Sequence, residues 1–305
     1  MANEFRDHPS HSAEHFGDSR DHWWNLDFLQ LISKRLSLNS MHRVLDVGCG
    51  VGHWGRLLAA ALPGDVEVLG VDRDPFWVEK ASERAAAAGL AHRFHYCESA
   101  AERLPFEGST FDLVTCQTLL IHVRDPGIVI DEMIRVARPG GLILAAEPNN
   151  IANSLIFDSL NQHDPIDEIM ARTRLQLICE RGKFALGEGN NSLGDQVPAL
   201  LARHGLIDIR VYLNDKVVVM LPPYETAEQR AWQDSVDDDH DRKFWIWSRP
   251  ETQRYFLAGG GRPEDFEALW DNAKPDSANF KQAIGNKTYA AVASGIFYLV
   301  AGTKP

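Results

Sequence analysis

The run Val44-Leu45-Asp46-Val47-Gly48-Cys49-Gly50-Val51-Gly52 constrains this chain more than any other stretch. Its first half is apolar apart from Asp46 and shows no polar alternation, the pattern of a strand buried on both faces of a parallel sheet. Its second half puts glycine at every other position, so the backbone can turn sharply and lie close to a ligand. The Ala-rich stretch 54–62 then reads as a helix packing back on the strand. Strand, glycine turn and helix in this order open a doubly wound α/β fold, which binds nucleotide-like ligands at the carboxyl ends of its strands.

The glycine spacing narrows the choice of ligand. In the dinucleotide fingerprint G-x-G-x-x-G the third glycine would fall at residue 53, where this chain has His53; its third glycine comes one residue early, at Gly52. No G-K-S/T follows, which excludes a phosphate-binding P-loop. Asp46 at the strand end would repel a pyrophosphate but tolerates a ligand with an ammonium and a sulfonium, such as S-adenosylmethionine. A second strand, 66–71, ends at Asp72, whose carboxylate is able to accept from both hydroxyls of a ribose.

The D-x-G-x-G-x-G form with an acid closing the second strand resembles the class I S-adenosylmethionine-dependent methyltransferases. Leu104-Pro105-Phe106 ahead of Phe111-Asp112-Leu113-Val114, and Arg138-Pro139-Gly140-Gly141, resemble later motifs of the same family, so the resemblance covers residues 42–149. It implies a seven-stranded Rossmann-like sheet with its last strand antiparallel. It also implies S-adenosylmethionine as cofactor, S-adenosylhomocysteine as product, and SN2 transfer of a methyl group to a small organic acceptor. Gly48, Gly50 and Gly52, with Cys49 among them, would approach the methionine part of the cofactor. Asp46 would orient its amino group, Asp72 would bind the ribose and Arg73 would lie on the adenine face. Gln117 would either meet the sulfonium or cap its strand. Many members carry an acid where this chain has Ala100, so adenine falls to the backbone N–H of Ala101 and to Glu102, Ser99 or Glu98. His122 and Glu147 are expected at the mouth of the site, as general bases or as structural groups. Trp24, with Trp23, belongs to a leading helix that in this family often closes over the cofactor; it is a lid residue or an aromatic pin for that helix.

Composition sets the outer limits. The 305 residues are 44% hydrophobic and 24% charged, as in a globular enzyme with a sizeable core. The net charge of -12, without a cluster of Lys and Arg, argues against nucleic acid as a partner. Cys49, Cys97, Cys116 and Cys179 form no C-x-x-C pair, so neither a metal site nor a disulfide framework is expected and a reducing, cytoplasmic setting is. No apolar run is long enough to span a bilayer, and the oligomeric state is open.

Strands are expected at 93–97, 111–116 and 142–147, with helices at 75–88 and 126–138. Beyond Asn150 the pattern loosens into a helical stretch 151–183, a helix 196–204, an edge strand 207–213 and a last strand 290–301. The whole reads as one methyltransferase domain, with 15–36, 151–183 and 222–286 as helical cap segments and 1–14 as a disordered tail. Trp245, Trp247, Tyr255, Phe256, Phe266 and Trp270 crowd the third cap segment. They would line an enclosed acceptor pocket or form the cap's own core. Two other readings are a non-catalytic cofactor-binding regulator and a methyltransferase for macromolecules.

Overall fold

A computed structural model describes residue 20 and residues 22–237, 243–244, 247–273, 276–293 and 295–305. The expected tail 1–14, the start of the first cap segment and Trp245 lie outside these residues. The helices are α1 (Leu26–Leu36), α2 (His53–Ala59), α3 (Pro75–Ala87), α4 (Pro126–Val136), α5 (Asn150–Asn153), α6 (Ile166–Ala185), α7 (Val197–Arg203), α8 (Ala227–Asp237), α9 (Arg249–Ala258), α10 (Phe266–Ala273) and α11 (Ser277–Gly285). The strands are β1 (Arg43–Val47), β2 (Glu67–Asp72), β3 (Phe94–Glu98), β4 (Phe111–Gln117), β5 (Ala137–Pro148), β6 (Ile207–Leu213), β7 (Val218–Met220), β8 (Lys243–Phe244), β9 (Trp247–Ser248), β10 (Ala291–Ala293) and β11 (Phe297–Thr303).

The chain divides into two compact units. The first holds Trp24–Asn149, Ser192–Asp215 and Phe297–Pro305. It is built on a seven-stranded sheet of order β3-β2-β1-β4-β5-β11-β6. β1 to β5 are mutually parallel, and β11 runs antiparallel between β5 and β6. This is the doubly wound sheet with an antiparallel last strand expected from the sequence. β4 is buried at every position, as a central parallel strand must be. Local signals fix the helix starts: the side chains of Asp74 and Asp125 accept from Phe76 N–H and Gly127 N–H, each followed by Pro in the first turn. α4 buries Val129, Ile130, Met133 and Val136 against the sheet core.

Three expectations need correction. The helix expected over 126–138 ends at Val136, and Pro139-Gly140-Gly141 belongs to β5. Gly140 N–H donates to Lys304 O and Lys304 N–H to Gly141 O, both at 2.9 Å, so the stretch is held by the end of β11. The single last strand 290–301 is two: β10 pairs with β7, and β11 enters the main sheet. α1, expected in a cap segment, groups with the sheet unit.

The second unit holds Asn150–Asn191 and Lys216–Ile296, together with the described residues 20, 22 and 23. The helical reading of 151–183 holds for 151–153 and 166–183 and fails between them. Between α5 and α6, Asp158 Oδ1 captures the N–H groups of Leu160 (2.8 Å) and Asn161 (3.1 Å), and Pro165 disfavours helix in the residue before it. α6 packs so closely on α9 that a Cβ on Gly182 would stand 1.7 Å from Tyr255 O. Trp247, Tyr255, Phe256, Phe266 and Trp270 pack with Leu175 and Cys179 as a hydrophobic core of this unit, beside a second one formed by Met220, Tyr224, Phe280, Ala283 and Tyr289. Of the two readings of these aromatics, the structure thus gives the cap's own core.

Candidate cofactor-binding site

All of the expected site residues belong to the sheet unit. After β1 the chain passes through Gly48 (φ 70°), Gly50 (φ 51°) and Gly52 (φ 75°), a left-handed conformation at alternate residues. The N–H groups of Gly48 and Cys49 both donate to Val71 O, at 2.8 and 2.9 Å, which fastens the loop to the end of β2. Space demands glycine as well as conformation. A Cβ on Gly48 would stand 2.7 Å from Leu119 Cδ1, and one on Gly52 2.5 Å from the Tyr96 hydroxyl oxygen.

Two acids stand at the strand ends. Asp46 is 1% exposed. Its Oδ2 accepts from Gly55 N–H in the first turn of α2 at 3.0 Å, while Oδ1 is buried without a hydrogen-bond partner. Burial pushes its carboxyl up to about 7; the Gly55 N–H opposes this and the nearby Asp72 adds to it. Asp72 is half-buried, and burial raises its carboxyl too, against the two N–H groups it accepts from. These are Asp74 N–H on Oδ1 (3.1 Å) and Gly50 N–H on Oδ2 (2.9 Å). Asp72 is therefore also the peg that sets the glycine loop, a role the sequence did not disclose.

Gln117 ends β4 and is 8% exposed. Thr118 then takes φ 51°, and the chain makes a short 3-10 turn, Leu120–His122. Glu147, near the end of β5, holds this turn: its Oε1 accepts from Leu119 N–H at 3.0 Å and from Leu120 N–H at 2.8 Å. The expectation that Glu147 faces the mouth is corrected here, because its side chain is 0% exposed. Burial drives its carboxyl up to about 7 against the N–H groups of Leu120, Leu119 and Ile121. Glu147 acts on the site through the turn it anchors, whereas His122 on that turn is exposed.

This anchor has a measurable consequence. Glu147→Ala strands two N–H groups inside the protein, at about 1–3 kcal/mol each. Glu147→Gln keeps an acceptor oxygen and should cost less than half as much. Urea denaturation of both variants measures the difference, and an Ala variant as stable as the wild type would remove the anchoring role.

The adenine side is less built. Arg103 N–H donates to Ala100 O at 3.2 Å, which places Ala101 and Glu102 in a turn after β3. The Ser99 hydroxyl donates within the same turn, to Ala100 O (3.1 Å) and Arg103 O (3.0 Å), and is occupied there. Arg73, Glu98 and Glu102 are exposed. Trp24 is 5% exposed and packs on Trp54 (5.1 Å between centroids), Phe28 (6.2 Å) and Phe297 (6.3 Å). That packing is what an aromatic pin for the start of α1 requires.

Tyr96 is the residue the sequence reading missed. It lies across β2, where a Cβ on Gly70 would meet its ring at 2.5 Å, and ends against Gly52. Its hydroxyl is buried without a hydrogen-bond partner. The signal was Gly70 itself, since a lone glycine inside a strand marks a close approach by another group.

The chemistry of these groups fits S-adenosylmethionine. An acid pair at the loop suits an ammonium and a ribose, and Asp46 Oδ1 has no donor of its own; Arg56 Nε donates to the Gly52 carbonyl at 3.2 Å. Among the described residues no cluster of three or more His, Cys, Asp or Glu is placed to hold a metal ion, and no helix is long and apolar enough to cross a membrane.

Comparison with known proteins bears on the same residues. Residues 38–185 match the family described as "Methyltransferase domain". Tocopherol O-methyltransferase of Arabidopsis thaliana is 37% identical over 102 residues, 33% of this chain and 29% of that protein. Ubiquinone biosynthesis O-methyltransferase of Methylococcus capsulatus is 33% identical over 150 residues (45% and 60%), and demethylmenaquinone methyltransferase of Geobacillus kaustophilus 32% over 123 residues (40% and 52%). The chain therefore spans less than two thirds of the length of each. Among solved structures, phosphoethanolamine N-methyltransferase 2 of Haemonchus contortus in complex with S-adenosyl-L-methionine shares the fold at 18% identity and a TM-score of 0.50, over 99% of this chain and 60% of that one. A Bacillus halodurans protein does so at 17% identity and a TM-score of 0.51, over 92% and 99%. Residues 38–185, which carry the glycine loop and the two strand-end acids, are thus similar to a methyltransferase domain, and the sheet with its antiparallel last strand has the fold of these solved structures.

Proposed function

We propose that this protein transfers the methyl group of S-adenosylmethionine to a small organic acceptor. The observation that carries the reading is the glycine loop at the end of β1, fastened to Asp72 through Gly50 N–H and set beside the buried, half-partnered Asp46. S-adenosylmethionine supplies an activated methyl group on a positively charged sulfur, so binding and alignment are the main tasks left to the protein. Asp72 has lone pairs left for the ribose hydroxyls. Asp46 Oδ1 is available to an ammonium, directly or through water. Gln117 closes the carboxyl end of β4, and Glu147 holds the turn that presents His122. A base is needed only for a poorly acidic acceptor such as an alcohol; His122 is the exposed group for that role. The names of the relatives, which concern tocopherol, ubiquinone biosynthesis and demethylmenaquinone, support a small-molecule acceptor.

Calorimetry is the first test. S-adenosylmethionine and S-adenosylhomocysteine should bind with micromolar-class affinity and NAD should not. A methyl-labelled cofactor offered with a panel of phenols, amines and carbon acids should then transfer label. NAD binding would sink the reading. Cofactor binding without transfer to any member of the panel would reduce the protein to a cofactor-binding module.

A further inference from the structure

α6 is 20 residues long and is buried through Leu175, Gln176, Cys179, Glu180, Gly182 and Lys183. Its outer side is not polar. Ile166, Met170, Leu177 and Phe184 are 76%, 60%, 40% and 61% exposed. They stand four, seven and seven residues apart, so at 100° per residue they fall within about 40° of one another, on a line about 27 Å long. Thr173 fills the gap in this line. Such a 3.5-residue repeat is the seam of a helix that pairs with another helix.

The charges beside the seam indicate the partner. Asp167, Arg174 and Arg181 are exposed and lie seven residues apart along one edge. Asp167 and Arg181 make no ion pair among the described residues. We infer that a second copy of this chain docks here, with the two α6 helices antiparallel about a two-fold axis near Arg174. In that register Phe184 meets the partner's Ile166 and Leu177 meets the partner's Thr173. Asp167 meets the partner's Arg181, and the two-fold makes that pair twice, as an interface of one surface with itself requires. A parallel pair would need the opposite edge, where Gln176 and Lys183 are buried. The two Arg174 side chains approach at the axis, and Asp265, whose carboxylate feels Arg174, tempers that contact. An anionic lipid surface fits less well, because Asp167 and Glu168 stand at one end of the stripe and the chain carries a net charge of -12.

Sedimentation equilibrium over a concentration series tests this. The wild type should be a reversible dimer, and Met170→Glu with Leu177→Glu should be a monomer that still binds S-adenosylhomocysteine and keeps its circular dichroism. Should that pair of changes unfold the second unit, the charge variants decide. Asp167→Arg alone and Arg181→Asp alone should each weaken the dimer roughly tenfold, and the two together should restore it. A monomeric wild type, a double-reversal variant no tighter than the single ones, or a monomer that floats with phosphatidylserine vesicles would each overturn the inference.

Discussion

Asp72→Ala is expected to weaken S-adenosylmethionine binding roughly tenfold to a hundredfold. Two losses combine. On the reading proposed here the carboxylate accepts from the ribose, and a charge-assisted hydrogen bond of that kind contributes about 1.5–3 kcal/mol. The same carboxylate takes Gly50 N–H at 2.9 Å and Asp74 N–H at 3.1 Å, so its removal also frees the loop that is to lie against the cofactor. The two losses are separable. Hydrogen exchange at Gly50 reports the loop alone, without cofactor, and should quicken in Asp72→Ala. Asp72→Asn keeps one acceptor oxygen and should bind with an affinity between those of Ala and wild type. Calorimetry showing Asp72→Ala at wild-type affinity would remove both roles.

The glycine loop and both acids were legible in the sequence because several independent demands fall on neighbouring residues. A strand buried on both faces has to be apolar, so Asp46 stands out within Val44-Leu45-Asp46-Val47. Alternate left-handed residues have to be glycine. What these groups bond to was not legible. Glu147 follows an apolar strand as Asp72 does, yet one is fully buried and holds the 118–122 turn while the other is half-buried and holds the glycine loop. A carboxylate at a strand end looks the same in sequence whether its partner is a ligand or a backbone N–H 28 residues away. Tyr96 went unread for a related reason: its reach to Gly52 crosses β2, and only the missing side chain of Gly70 announces it.

Chain breaks were misread where side chains compete with the backbone. Residues 151–183 have helical composition throughout, but the helix is broken once, between Asn153 and Ile166, where Asp158 captures backbone N–H groups and Pro165 precedes the new start. The apolar run ending the chain gave no sign of dividing between two sheets, because β10 is three residues long and its partner β7 is equally short. The crowd of aromatics near residues 247–270 could serve a pocket or a core; burial of Trp247, Phe256 and Phe266 to 1% or less decides for the core.

Cofactor affinity should rise with pH and level off above about 7, with a slope approaching tenfold per pH unit on the acid side. Burial raises Asp46 from 3.8 to about 7, so in the free protein much of it is protonated below that value. A cofactor ammonium placed at Asp46 favours the carboxylate, and below pH 7 binding must then release a proton. The groups facing Asp46 leave its titration visible. Cys49, Cys116 and Tyr96 are all pushed upward, chiefly by burial, and stay neutral across this range. Asp72 also shifts upward, so Asp46→Asn is the control that isolates the effect. The stability of the free protein should run the other way. A carboxyl raised on folding contributes stability that is fully present below its unfolded value and is lost as pH rises through its folded value. For Asp46 and Glu147 that window runs from about 4 to about 7. Saturating cofactor should therefore raise the melting temperature more at pH 8 than at pH 6, and Asp46→Asn should narrow that difference. Wild-type affinity that is flat between these two pH values, or a slope that Asp46→Asn leaves intact, would mean that Asp46 does not meet the cofactor's charge.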